Sequence, residues 1–131
     1  MQVTAQTDFD KTTIKSIMKQ VADWQIANPN KGAEHDDLDW THAALYMGML
    51  DWAELTEKED GDDSYYQWLM RIGRRNHFQV GKWMYHADFI AVGQPFIDLY
   101  VKYGNKKMIA PVMARANWVV ENPAETTLEL D

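Results

Sequence analysis

The chain has 131 residues, of which 46% are hydrophobic and 12% aromatic, enough for one globular domain with a core of its own. A net charge of −7 excludes an extended nucleic-acid or anionic-membrane surface, since either needs clustered positive charge. The absence of cysteine excludes zinc ribbons and disulfide frameworks and fits the cytoplasm and a bacterial periplasm alike. No stretch has the length and apolarity of a membrane span, and Met1 to Thr7 lacks the basic and apolar regions of a signal peptide, which leaves the compartment open.

The first predicted element is an amphipathic helix. Ile14, Ile17, Met18, Val21, Trp24 and Gln25 share one stripe, with a cap near Asp10 or Thr12 and a stop at Asn28-Pro29. After the polar stretch NKGAEHDDLD comes WTHAALYMGMLDWAEL, apolar from Ala43 to Leu50 apart from Gly48. A helix that is apolar all round is expected to be buried all round. EKEDGDD then reads as a loop. Tyr65, Trp68, Leu69 and Ile72 give a second one-sided helix ending near Arg75-Asn76. HADFIAVGQPFIDLYVKYG is again apolar on nearly every side, with a kink expected near Pro95 and closure at Gly104.

Setting Trp40 against Tyr85 brings Gly48 onto Gly93, an offset of 93 − 48 = 45 residues. The repeating unit is one amphipathic outer helix followed by one apolar inner helix. A fifth helix, about Asn105 to Glu121 with Pro111 in its first turns, opens a third unit through Ile109, Val112, Met113, Ala116 and Val119 or Val120. An all-α array of helical hairpins follows, and such arrays need neighbours to cover each unit's side face. ENPAETTLELD stops in mid-unit, which reads as the front part of a longer protein.

Chemistry concentrates at WMYHADF, Trp83 to Phe89. An aspartate before an apolar helical run is commonly a helix cap, and this is the default reading of Asp88. Trp83, Tyr85 and His86 offer the alternative, a partly dry aromatic cleft in which a carboxylate can do acid or base work. EHDDLD, Glu34 to Asp39, gathers acids around His35, but matches neither a calcium loop nor a two-histidine helix, so Asp39 is expected to cap the next helix. DGDDS fails as a calcium loop because its twelfth position is Arg71. Arg71, Arg74 and Arg75 suit a helix C-terminus, although planar guanidinium groups also suit an acidic sugar. His42 and Tyr46, four apart, face one side of the second helix together, as satisfied core residues or as the lining of a cavity.

At WTHAALYMGMLDWAEL and MYHADFIAVGQPFIDLY the sequence resembles glycoside hydrolase family 105, the unsaturated rhamnogalacturonyl hydrolases, with family 88 as a more distant relative. The resemblance runs from the first helix to MARANWVVENP. It implies an (α/α) toroid of six hairpins, of which residues 1–131 would form about the first two and a half, as the N-terminal part of one catalytic domain without internal boundary. It further implies an enzyme that removes an unsaturated uronic acid from oligosaccharides left by pectin lyases. An acid protonates C4 of the double bond, water adds at C5, and the hemiketal opens and sheds the neighbouring sugar, unlike the usual two-carboxylate scheme.

No metal or organic cofactor is implied. Asp88 matches the earlier of the family's two pocket aspartates. Trp40 and Tyr46 match aromatic pocket positions, and Trp83 and His86 lie close by in the motif as further sugar contacts. The principal acid belongs to a later motif of the type Trp-x-Asp-Ala-Leu-Phe-Met, so the isolated chain is expected to be inactive and, as an open fragment, to self-associate. Two rivals stand beside this: a non-enzymatic helical-repeat module binding carbohydrate or peptide, and a family 88 glucuronyl hydrolase acting on glycosaminoglycan fragments.

Overall fold

The computed structural model describes residues 10–29 and 36–125, and among these every regular element is helical. By packing, the chain divides into two compact units, Met1–Gly32 and Ala33–Asp131. The sequence expectations for Met1 to Thr7, for Glu34 and His35 and for the last residues lie outside the described residues.

The first unit contributes α1 (Lys11–Ala27). Its start is fixed by Asp10, whose carboxylate accepts from the amides of Thr12 and Thr13 at 2.8 and 3.1 Å, supplying partners that the helix cannot provide. At the other end Asn28 donates from both its amide and its side chain to the Trp24 carbonyl. Both ends fall where the sequence signals put them.

In the second unit, α2 (Trp40–Asp60) and α3 (Ser64–Arg75) form the first hairpin. Asp39 caps α2 through the Thr41 amide, 3.0 Å away. The helix continues through most of the stretch expected to be a loop and ends at Gly61, whose φ of 69° closes it in the left-handed region that glycine enters without strain. The hairpin is cemented by aromatic edges: Tyr46 against Trp68 at 5.9 Å and Trp52 against Tyr65 at 5.7 Å between ring centroids.

After α3 the chain turns sharply. His77 and Phe78 take φ values of 52° and 53°, a conformation that costs non-glycine residues about 1–2 kcal/mol each. Its reward is the placement of the Phe78 ring, which packs edge-on to Phe96 and lies over Gly73, where a Cβ would come within 2.3 Å of it. An aromatic-rich connection then leads to α4 (Ala87–Ala91) and α5 (Gly93–Tyr103).

The kink expected near Pro95 is a break at Val92. The reason is local: a proline ring displaces the carbonyl four residues back, here Ala91, the last residue of α4. Gly104, at φ 69°, closes α5. A 3₁₀ turn (Lys106–Met108) precedes α6 (Ala110–Glu121), with Pro111 in its first turn as expected.

The apolar helices α2 and α4–α5 run side by side in the same direction. Lys102 near the end of α5 pairs with Glu57 near the end of α2, 45 residues earlier, the same offset as the sequence repeat. Between them lies a groove of about 480 Å³, lined by Leu50, Asp51 and Glu54 on one side and Asp98, Val101 and Lys102 on the other. Parallel courses put the starts of both helices, with Trp40 and Asp88, at one end of the pair.

One expectation is corrected here. α2 is not buried all round: Trp40, Ala44, Gly48, Asp51 and Glu54 form an exposed line along it. Apolarity in Ala44 and Gly48 comes from smallness, and small side chains make little demand for burial.

Candidate functional site

The residues singled out at WMYHADF do gather, although differently from expectation. Asp88 is not the cap. His86 occupies the N-cap of α4, and Asp88 is the second residue of the helix, its side chain 54% exposed and its carboxylate 3.9 Å from His86 Nδ1. His86 and Asp88 attract as an ion pair only when the imidazole carries its second proton.

Around them Trp83, His86 and Phe89 form a triangle of rings, with centroids 5.4 Å (Trp83–His86), 5.0 Å (Trp83–Phe89) and 5.3 Å (His86–Phe89) apart. Lys82 Nζ lies 5.7 Å from the Trp83 ring. More than half of Trp83 is open to solvent, as is Asp88, so among the described residues the rings and the carboxylate form an open shelf.

Tyr85 leaves this group. It turns to α6, where its ring meets Trp118 at 5.4 Å and its hydroxyl donates to the Asn122 carbonyl at 2.5 Å. Bends at Lys82, Met84 and Tyr85 break the two-residue alternation of an extended segment, which would have put Tyr85 on the same face as Trp83.

Trp40 stands exposed at the first residue of α2. Tyr46 does not reach any open surface: it is buried against His42 and Trp68, with its ring between α2 and α3. Its hydroxyl is buried, and no described residue accepts from it or donates to it. Burial, with the Asp37 carboxylate adding to it, holds the phenol well above its ordinary range. Arg75 grips Asp37 through two nitrogens at 2.6 Å each, and Asn76 adds a third bond at 2.7 Å. Arg75 is therefore committed to tying α3 to the segment before α2, the structural role its position at a helix C-terminus allows.

Sequence reasoning missed two residues that shape the shelf. Arg115 on α6 donates from its two terminal nitrogens to the carbonyls of Trp83 and Gly81, at 2.7 Å each. Gly81 donates its amide to the Phe89 carbonyl at 2.6 Å, and a Cβ on it would lie 2.1 Å from the Phe89 ring. A glycine before an aromatic run was a visible signal for close approach. Arg115, 32 residues from Trp83, left none.

No group of three or more His, Asp or Glu side chains suited to a metal ion occurs among the described residues. Nor is any helix among them long and apolar enough to cross a membrane.

The family model described as Glycosyl Hydrolase Family 88 matches residues 6–128. The chain belongs to glycosyl hydrolase family 88. This is the family that the sequence resemblance placed beside family 105 as a more distant relative.

Among curated proteins, the family 88 chain is 20% identical to an unsaturated 3S-rhamnoglycuronyl hydrolase of Alteromonas sp. (strain LOR), over 92% of its own length. It spans only 30% of the length of that relative. No solved structure matches it. Family membership makes the chain a relative of glycoside hydrolases, and the all-α hairpin architecture is the one the repeat foretold, although the hairpins described within the second unit join an apolar helix to the amphipathic helix after it.

Proposed function

We propose that this chain supplies the first hairpins, and part of the sugar site, of an (α/α) toroid hydrolase that releases an unsaturated glycuronyl residue from rhamnose-containing oligosaccharides. The observation that carries the reading is the shelf itself. Trp83, His86 and Asp88 stand exposed together at the start of an inner helix, at the same end of the inner pair as exposed Trp40. Exposed indole rings offer the flat apolar face on which a pyranose ring stacks, and a carboxylate and an imidazole beside them offer acceptors and donors for its hydroxyls.

In this proposal Asp88 is the assisting carboxylate that positions the sugar and water, and His86 orients it. Trp83 and Trp40 hold the ring, while Tyr46 acts from beneath by setting α2 on α3. The hydration step needs a proton delivered to C4 and a water guided to C5. One exposed carboxylate cannot perform both at useful rates. The resemblance to family 105 puts the principal acid in a later motif, so the 131-residue chain is expected to bind and not to turn over. The Alteromonas relative, an unsaturated 3S-rhamnoglycuronyl hydrolase, favours a glycuronyl unit joined to rhamnose, and the resemblance to family 105 favours a pectin-derived one.

The test is a titration of the chain with an unsaturated glycuronyl-rhamnose disaccharide, following tryptophan fluorescence and the ultraviolet absorbance of the conjugated double bond. Quenching of the tryptophan fluorescence with constant absorbance is the expected result, and Asp88→Asn and Trp83→Ala weaken binding by about tenfold each. Absence of quenching at millimolar sugar refutes the reading. Loss of absorbance refutes the inactivity of the isolated chain.

A further inference from the structure

A loop that carries a recognition surface must be held, because side chains on a mobile segment lose ordering entropy each time a ligand binds. The connection from Gly81 to His86 has no regular secondary structure of its own. Its backbone is instead held from three sides. The Gly81 amide bonds the Phe89 carbonyl, Tyr85 anchors on Asn122, and the Arg115 guanidinium spans the two carbonyls of Gly81 and Trp83.

The last of these contacts is of a particular kind. A guanidinium is planar, always charged and presents its nitrogens in a fixed fork, so two bonds at 2.7 Å to carbonyls two residues apart fix both the position and the rotation of the peptide between them. That segment contains Lys82 and ends at Trp83. The direction in which the Trp83 ring leaves the backbone is therefore set from α6, an element that contributes no side chain to the Trp83–His86–Phe89 triangle. Two residues in front of Arg115, Met113 faces solvent, and Trp118 holds Tyr85, so α6 serves as the frame of the loop.

We infer that Arg115 is a positioning residue of the sugar site: it aims Trp83, and through it the His86–Asp88 pair, without touching the sugar. The inference rests on the function proposed above. Its consequence is that the binding surface on the Gly81–His86 loop is complete only when α6 has docked.

The experiment compares the wild-type chain, Arg115→Ala and Arg115→Lys in the same disaccharide titration, alongside hydrogen exchange of the amides from Lys82 to His86 and thermal melting. Arg115→Ala is expected to weaken binding by about tenfold and to speed exchange in the loop while the helices exchange as before. Arg115→Lys keeps one charged donor but loses the fork, and a loss of about threefold is expected, with unchanged melting.

If Arg115→Ala does not fold, the lysine variant decides. A folded lysine variant that binds as wild type overturns the inference, and so does an alanine variant with wild-type affinity or with unchanged loop exchange. Should the wild-type chain itself bind no sugar, the proposed function and the positioning role fall together, an outcome distinct from a wild-type chain that binds and an alanine variant that binds equally well.

Discussion

Tyr46 shows what a single side chain can conceal. Its ring is among the most buried in the chain, yet its hydroxyl is paired with no described residue. A buried hydroxyl without a partner has lost its water for nothing, so Tyr46→Phe is expected to leave stability unchanged or raise it by about 1 kcal/mol, as read by urea denaturation. Clear destabilisation would mean that the hydroxyl is satisfied. The same residue sets a pH dependence. Burial raises the folded phenol above its ordinary value of 10.0, and burial likewise raises Tyr66 and Tyr103. A raised folded value means that the native state keeps its protons where the unfolded chain releases them. Stability is therefore fully present below pH 10 and falls as pH rises above it. Tyr46→Phe should flatten that fall. The sequence placed Tyr46 beside His42 correctly, but the choice between core and pocket depended on Trp68, a partner from another helix that no spacing rule reveals.

Among elements, several ends were legible, though not the end of α2 or the start of α4. Asp10, Asn28, Asp39 and Gly104 act on backbone groups within four residues of themselves, so their effect is written locally. The break at Val92 was legible in principle, since the proline rule points four residues back. The left-handed pair His77–Phe78 was not, because its cause is the space over Gly73 and the edge of Phe96. Contacts between elements are equally non-local. Lys102 pairs with Glu57 on α2 and stands 4.1 Å from the Tyr66 ring on α3, so one ammonium joins three helices. Both charged side chains remain partly exposed, and solvent screens them. Lys102→Ala is expected to cost about 1 kcal/mol, mostly from the aromatic contact, and Glu57→Gln about half of that. Equal costs for the two variants would assign the effect to the ion pair instead.

Across the second unit, the alternation of one-sided and apolar helices and the 45-residue repeat were readable, since both rest on periodicity, whereas which helix pairs with which was not. The shelf was only half readable: Trp83, His86 and Asp88 come together, while Tyr85 leaves and Arg115 arrives from a distance. The unit also exposes Val101 and Val120, at 75% and 80%, together with Met113. Apolar surface of this kind favours association. Light scattering on a concentration series is expected to show reversible oligomers, and Val101→Glu with Val120→Glu to shift them to monomer; a wild-type chain that stays monomeric at high micromolar concentration would count against it.

The Glu57–Lys102 pair closes across 45 residues and the Asp37–Arg75 pair across 38. For a chain leaving the ribosome, a partner 45 residues behind was made about 2–9 s earlier. Hairpin closure is far faster than that, so each unit is finished and waiting when the next one emerges. The order of synthesis is then also the order of folding, and the loop bearing Trp83 stays unset until Arg115 clears the exit tunnel.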